Sequence, residues 1–206
     1  MLIEQLYADN CRRKSDINEH LPTLKRYGSE CASITEMGVR KGLSTSAWLA
    51  ARPKSLRSYD IDGAFFLKNR DALYRQAAKE IGSDFEYIVA DVLKIDIAPT
   101  DLLFIDTWHI YEQLRDELAR HADKAKKYIV LHDTETFGTW GEDPEWIRAA
   151  HRVSRVLRRL SKRIPEVRRR DGLLRAVDEF LAAHPEWKRE AHFSNNNGLT
   201  VLARVA

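Results

Sequence analysis

Cysteine is almost absent from this sequence: Cys11 and Cys31 are the only two among 206 residues. Two thiols cannot build a disulfide framework or a cysteine-rich zinc site, and they read as ordinary reduced thiols of a cytoplasmic protein. Long apolar runs are missing as well; none approaches the roughly 18 residues that a membrane span requires. The N-terminus MLIEQLYADN carries acids early and lacks a basic flank followed by an apolar core, so it does not read as a secretory signal. No internal repeat or low-complexity tract appears. What is present fits a folded chain. With 44% apolar and 32% charged residues, the composition disfavours disorder, and the length suits a single domain, 1–206, with one core.

Charge is unevenly spread. The segment 151–170, HRVSRVLRRLSKRIPEVRRR, holds eight Arg, one Lys and one Glu, a local net of +8 in a chain whose total is +3. Asp143 and Pro144 make a helix start, and Trp146, Ala150, Val153, Leu157, Leu160 and Ile164 then recur at helical spacing. Pro165 ends this helix and a second begins after Gly172, so a helical basic insertion or lid is predicted over 143–185. Its arginines suit a solvated face, an anionic acceptor or a nucleic acid. The scarcity of aromatics there argues against a stacking platform for single strands. The apolar face leaves a homo-oligomer open.

Elsewhere apolar β-type runs alternate with helical patterns. ASITEMG, SLRSYDID, FEYIVAD, TDLLFID and YIVLHD read as strands; LSTSAWLAAR and GAFFLKNRDALYRQAAKEIG read as helices, the latter stopped by Gly82. YEQLRDELARHADKAKK places Leu114, Leu118, Ala122 and Ala125 on one helical face. Such alternation predicts an α/β fold, a parallel sheet with helices on both faces and ligands at the carboxyl ends of its strands. HFSNNNGLTVLAR, with Asn195, Asn196, Asn197 and Gly198 at its centre, predicts a closing antiparallel hairpin. The first thirty residues suggest short helices packed ahead of the sheet.

The stretch ITEMGVRKGLSTSAWLA, 34–50, sets Gly38 and Gly42 between a strand and a helix. Glycine permits a sharp turn and close approach of a ligand. The spacing E-x-G-x-x-x-G differs from the dinucleotide fingerprint G-x-G-x-x-G, because Arg40 stands where that motif wants its second glycine. Glu36 would repel a phosphate and attract an ammonium or sulfonium group. Asp60, at the end of the next strand with Asp62 just beyond, can accept the hydroxyls of a ribose. A cationic amino acid joined to a ribose describes S-adenosylmethionine. A second constellation follows: Asp106 ends the fourth strand ahead of His109 and Tyr111, while His132 and Asp133 end the fifth. Carboxylates and imidazoles at neighbouring strand ends can hold a divalent metal or supply a base. Asp106 as a helix cap and His132 as a core residue are the plainer alternatives.

Together E-M-G-V-R-K-G-L-S-T, S-Y-D-I, L-L-F-I-D-T-W-H-I-Y, I-V-L-H-D-T-x-T-F-G and N-N-N-G-L-T-V-L resemble the class I S-adenosylmethionine-dependent methyltransferases, nearest the cephalosporin hydroxylase and macrocin O-methyltransferase type. The resemblance covers 30–140 and 171–205. It implies a Rossmann-like sheet of seven strands with the last antiparallel, and O-methylation of a hydroxyl on a sugar, glycan or other small-molecule acceptor. Glu36, Gly38, Gly42 and Ser44 would line the methionine end of the cofactor. Asp60 would hold the ribose, Asp91 and Val92 would flank the adenine, and Asp106 would face the reacting end. Asp106 and His109 match an Asp-x-x-His motif that supplies a metal ligand and a base, with Asp133 beside them. The ligand set implied for magnesium or a similar ion is Asp106, His132 and Asp133, although His132 replaces an expected acid. A non-catalytic nucleotide- or RNA-binding module, or an RNA methyltransferase, is the alternative on the same fold.

Overall fold

The computed structural model describes residues 1–142 and 171–205, so the predicted basic helix of 143–170 lies outside the described residues. The chain begins with α1 (Leu2–Arg12) and α2 (Leu21–Gly28). Strand and helix then alternate: β1 (Ser33–Met37), α3 (Leu43–Ala50), β2 (Ser55–Asp60), α4 (Ala64–Asn69), α5 (Asp71–Ile81), β3 (Asp84–Val89), β4 (Thr100–Ile105), α6 (Tyr111–His121) and β5 (Ala125–His132). We label the next described helix α7 (Leu173–Ala183); β6 (Trp187–Phe193) and β7 (Leu199–Arg204) close the chain.

The seven strands form one sheet in the order β3-β2-β1-β4-β5-β7-β6, and β7 alone runs against the rest. This is the predicted Rossmann-like arrangement with its antiparallel final strand. Central strands buried on both faces carry near-continuous apolar runs: Leu102, Leu103, Phe104 and Ile105 of β4 are all buried. On one face α1, α2, α3 and α5 enclose Leu24, Trp48, Leu49, Phe66 and Tyr74. On the other α6 and α7 cover Leu114, Leu118, Val177 and Phe180.

Three boundaries differ from the sequence reading. The predicted single helix over 63–82 breaks at Arg70, whose φ of −133° is not helical, giving α4 and α5. Helix α6 stops at His121, and Ala125 starts β5 instead of extending the helical face. The predicted insertion to residue 185 reaches too far: α7 buries Leu173, Ala176, Val177 and Phe180 against the sheet's own core, so it is a layer of the domain.

Strand register positions the site. Glu36 lies beside Ser58 on β2 and Phe104 on β4. Ile105 pairs with Leu131, which brings Asp106 level with His132 where the two strands end. The backbone continues this alignment past the strands: Gly38 N–H donates to Tyr59 O and Asp106 N–H to Met37 O, both at 2.8 Å.

Candidate active site

The turn after β1 is held in left-handed backbone at Gly38 (φ 87°), Arg40 (φ 52°) and Gly42 (φ 78°). The glycines serve the protein's own packing. A Cβ on Gly38 would lie 1.9 Å from the Asp106 carbonyl oxygen, and one on Gly42 would lie 2.8 Å from the Phe66 ring. Backbone and an aromatic ring take the space that a side chain would fill at these two positions. The Tyr74 hydroxyl also donates to the Gly42 carbonyl at 2.5 Å.

Glu36 lies beneath this turn and is fully buried. Its carboxylate accepts from Ser44 Oγ at 2.6 Å, Thr45 Oγ1 at 2.8 Å and Ser58 Oγ at 2.5 Å. Burial pushes its pKa up to about 7; the three hydroxyls oppose that rise and nearby Asp106 adds to it. Glu36 and Ser44, both expected at the methionine end of the cofactor, bond to one another, and Ser44 also lines the cavity beside the turn.

Asp60 latches the turn. Its Oδ2 accepts from Val39 N–H at 2.9 Å and Arg40 N–H at 2.7 Å, and its Oδ1 from Asp62 N–H at 3.0 Å. A carboxylate has about four acceptor positions, so roughly one remains for a further donor such as a ribose hydroxyl. Asp91 caps the short turn Val92–Lys94 through Leu93 N–H and pairs with Lys94 at 2.9 Å, contacts that lower its pKa. Val92 is buried, with its carbonyl 2.8 Å from His121 Nε2. Near the ends of β2 and β3, Ile61 and Val89 are exposed apolar residues that the sequence reading did not single out, Val89 paired with Asp60.

The second constellation assembles at the ends of β4 and β5. His109 Nε2 lies 2.9 Å from Asp133 Oδ2 and 3.3 Å from Asp106 Oδ1. Its Nδ1 lies 3.5 Å from Glu142 Oε2, and its ring stacks on Phe137 at 4.8 Å with the planes 3° apart. Asp133 is in left-handed backbone, φ 60°, a strained geometry for a non-glycine residue and one that recurs at functional sites. Burial alone would lower the His109 pKa, but its hydrogen bonds and charge attraction with Asp106 and Asp133 raise it to about 9. Burial likewise disfavours the Asp106 carboxylate, yet His132 and His109 hold it well below the usual carboxylate range.

Asp106 is not a helix cap, since Ile110 occupies that position with no side-chain cap. Tyr111 starts α6, with its hydroxyl donating to Glu179. His132 stands behind the cluster. It is 2% exposed, faces Asp106 Oδ1 through Nδ1 at 3.3 Å and meets His20 edge-on at 5.8 Å.

Among the described residues, donor atoms of Asp106, His109 and Asp133 lie within 4.8 Å of one another, a set able to hold a metal ion. The set contains His109 where the implied triad had His132. The buried Oδ1 of Asp133, which has no hydrogen-bond partner and lies 3.6 Å from His132 Nδ1, fits the same role. Two carboxylates and one imidazole suit a borderline divalent ion such as manganese or zinc at least as well as magnesium.

Sequence reasoning also missed Glu117, Phe137 and Glu142. Glu117 is buried, accepts from Thr107 Oγ1 and Gln113 Nε2 at 2.7 Å each, and has its pKa pushed by burial up to about 7. A glutamate on the Leu114–Leu118 apolar face was the available signal. Phe137 and Glu142 reach His109 only through the tertiary path of the chain.

No family model and no curated protein matches the sequence. Solved structures do match in fold. An O-methyltransferase from Bacillus cereus in complex with SAH superposes with a TM-score of 0.61 at 13% identity, covering 99% of this chain and 90% of that one. A putative caffeoyl-CoA O-methyltransferase from Staphylococcus aureus gives 0.58 at 13% identity, covering 91% and 83%. The O-methyltransferase TomG from Streptomyces achromogenes, involved in tomaymycin synthesis and solved with SAM, gives 0.59 at 14% identity, covering 94% and 82%. By these likenesses and its strand order, this chain has the class I methyltransferase fold.

Proposed function

We propose that the chain is an S-adenosylmethionine-dependent methyltransferase that transfers the sulfonium methyl to a hydroxyl of a small-molecule or glycan acceptor. The observation that carries this reading is the His109–Asp106–Asp133 cluster, set beside the turn 38–42 at the carboxyl ends of the strands, where open α/β sheets bind ligands. The cofactor's nucleoside would rest on Ile61 and Val89, with Asp60 accepting from a ribose hydroxyl. Its reacting end would point to Asp106.

His109, once its Nε2 has lost its own proton, would take the acceptor's proton there. General-base assistance of this kind contributes about 10²–10⁴ in rate, and alignment of oxygen, carbon and sulfur supplies much of the remainder. Phe137 fixes the plane of the imidazole. Asp106 and Asp133 orient Nε2 and, by charge, favour the imidazolium that forms when the proton arrives. A divalent ion held by Asp106, His109 and Asp133 would occupy the Nε2 lone pair, so it would supply Lewis-acid acidification of the acceptor hydroxyl in place of the His109 base.

Calorimetry with SAH and with S-adenosylmethionine tests the reading, followed by methyl transfer to a panel of hydroxyl acceptors with and without chelator. Binding of both nucleosides is expected. Affinity for each weaker than about 1 mM would remove the cofactor assignment. Full activity in the presence of chelator would remove the metal while leaving His109 as the base.

A further inference from the structure

A cavity of about 270 Å³ lies between the end of α1, the following segment 14–17, the turn 39–43 and Asp106. Its wall is predominantly basic. Arg13, Lys14, Arg40, Lys41 and Arg70 line it, against two carboxylates, Asp16 and Asp106. Both acids are already engaged: Asp16 Oδ2 pairs with Arg40 Nη1 at 3.1 Å, and Asp106 faces His109 and His132. Among the described residues, the side chains of Arg13, Lys14, Lys41 and Arg70 form no ion pair, and the Nε of Arg70 is buried with no hydrogen-bond partner.

We propose that this cavity is an oxyanion subsite, which takes a carboxylate or phosphate group of a bound reactant on the guanidinium and ammonium groups of Arg13, Lys14, Lys41 and Arg70. Four unpaired cations around one concavity repel each other, and a buried guanidinium nitrogen without a partner is costly unless a ligand supplies the acceptor. Arginine presents paired N–H donors that match the two oxygens of a carboxylate or phosphate. The strained turn contributes to the same wall: Arg40 holds its left-handed backbone because Asp60 binds its N–H, and its side chain ties the turn to the N-terminal segment through Asp16. The cavity is thus a joint between two parts of the chain, and both bring positive charge to it.

The proposal rests on the methyltransferase reading only for the identity of the reactant. One source is the carboxylate of the cofactor. The other is an acidic acceptor. The cofactor brings a single carboxylate together with an ammonium and a sulfonium group, so it leaves most of the positive charge on this wall unanswered.

The test is calorimetry on the full chain with two probes, inorganic pyrophosphate and SAH. The variants are the double reversal Arg13→Glu with Lys14→Glu and a charge-matched control outside the cavity, Lys126→Glu with Lys188→Glu. Wild type is expected to bind pyrophosphate about tenfold or more tighter than the cavity variant, a difference of about 1.4 kcal/mol, with the control within about twofold of wild type. Pyrophosphate that still binds the SAH-loaded protein identifies the acceptor as the source. Competition between the two probes, with SAH weakened in the cavity variant, identifies the cofactor carboxylate. The subsite is overturned if the cavity variant matches wild type for both probes, or if the control loses as much affinity as the cavity variant. Failure of SAH to bind wild type would refute the proposed function and leave the pyrophosphate comparison to be judged by itself.

Discussion

Replacing Gly38 by alanine tests the central geometric feature of the site, because the same contact joins the turn to Asp106. Two costs can be separated. The first is conformational: at φ 87° an alanine sits in left-handed backbone, at a cost of about 1–2 kcal/mol. The second is steric. The new Cβ would lie 1.9 Å from the Asp106 carbonyl oxygen, and contacts under 3.0 Å are essentially unknown, so the two backbones must part by roughly 1.1 Å. That movement stretches the 2.8 Å bond from Asp106 N–H to Met37 O, worth about 1 kcal/mol net, and adds overpacking strain of about 1–3 kcal/mol. Gly82→Ala is the matched control, since Gly82 has φ 72° and a Cβ added there would meet no atom within 4 Å. Urea unfolding should therefore show Gly38→Ala less stable than Gly82→Ala by about 2–4 kcal/mol, the sum of the two steric contributions. For a chain of this length that is about 4–16 °C in melting temperature. In the fraction that remains folded, a displacement of about 1 Å at Asp106 should cost about 10² in methyl transfer, whereas Gly82→Ala should leave transfer unchanged. Equal stability of the two variants within about 0.5 kcal/mol would refute the argument, since shared left-handed strain alone predicts equality.

Glu36→Leu should destabilise by about 3 kcal/mol or more, because it leaves three buried hydroxyls without their acceptor; Glu36→Gln, which can still accept and donate there, should cost markedly less, and equal urea midpoints would contradict the network. In chelator, where Asp106 and Asp133 face only protons, the raised pKa of His109 predicts a stability contribution complete below its ordinary 6.5 and lost as pH rises through about 9. His109→Gln should flatten that slope, and parallel pH–stability curves for the two proteins would remove the imidazolium. Glu142→Leu should lower kcat by about 10–100-fold through misorientation of the imidazole, with Glu142→Gln recovering most of it and SAH affinity constant in both; a change confined to KM would count against a positioning role.

The sheet was legible because each strand is a short apolar run bounded by a turn signal, and because Asn195 to Gly198 announce a hairpin whose backbone does turn left-handed at Asn196, Asn197 and Gly198. Helix ends were less so. Nothing local marks the break at Arg70, where Phe66 must turn inward to stack on Tyr87 at 4.3 Å. Residue identities at strand ends put Asp106, His109 and Asp133 in one neighbourhood, and the three do converge. They could not give the direction in which side chains point. Glu36 and Gly38 were read as facing a ligand, but the parallel register puts Ser58 beside Glu36 and the Asp106 carbonyl against Gly38. Arg13, Lys14 and Glu142 were illegible for a different reason: they reach the site by folding back from distant segments, and no local pattern encodes that.

The electrostatics of His109 constrain the chemistry more tightly than its identity does. Its Nε2 faces two carboxylates and its Nδ1 a third, that of Glu142. Ionised carboxylates only accept hydrogen bonds, so an imidazole placed among them is held as the doubly protonated cation, in keeping with a pKa raised to about 9. A cation cannot accept the acceptor's proton. Under the proposed function, His109 would become a base at neutral pH only when other positive charge answers Asp106 and Asp133, and the sulfonium of the cofactor is the source that would leave Nε2 free. That charge would lower the His109 pKa toward its ordinary value as the reactants assemble. On that proposal a proton would occupy the cluster at rest and yield as positive charge arrives, which would tie release of the base to the presence of the methyl donor.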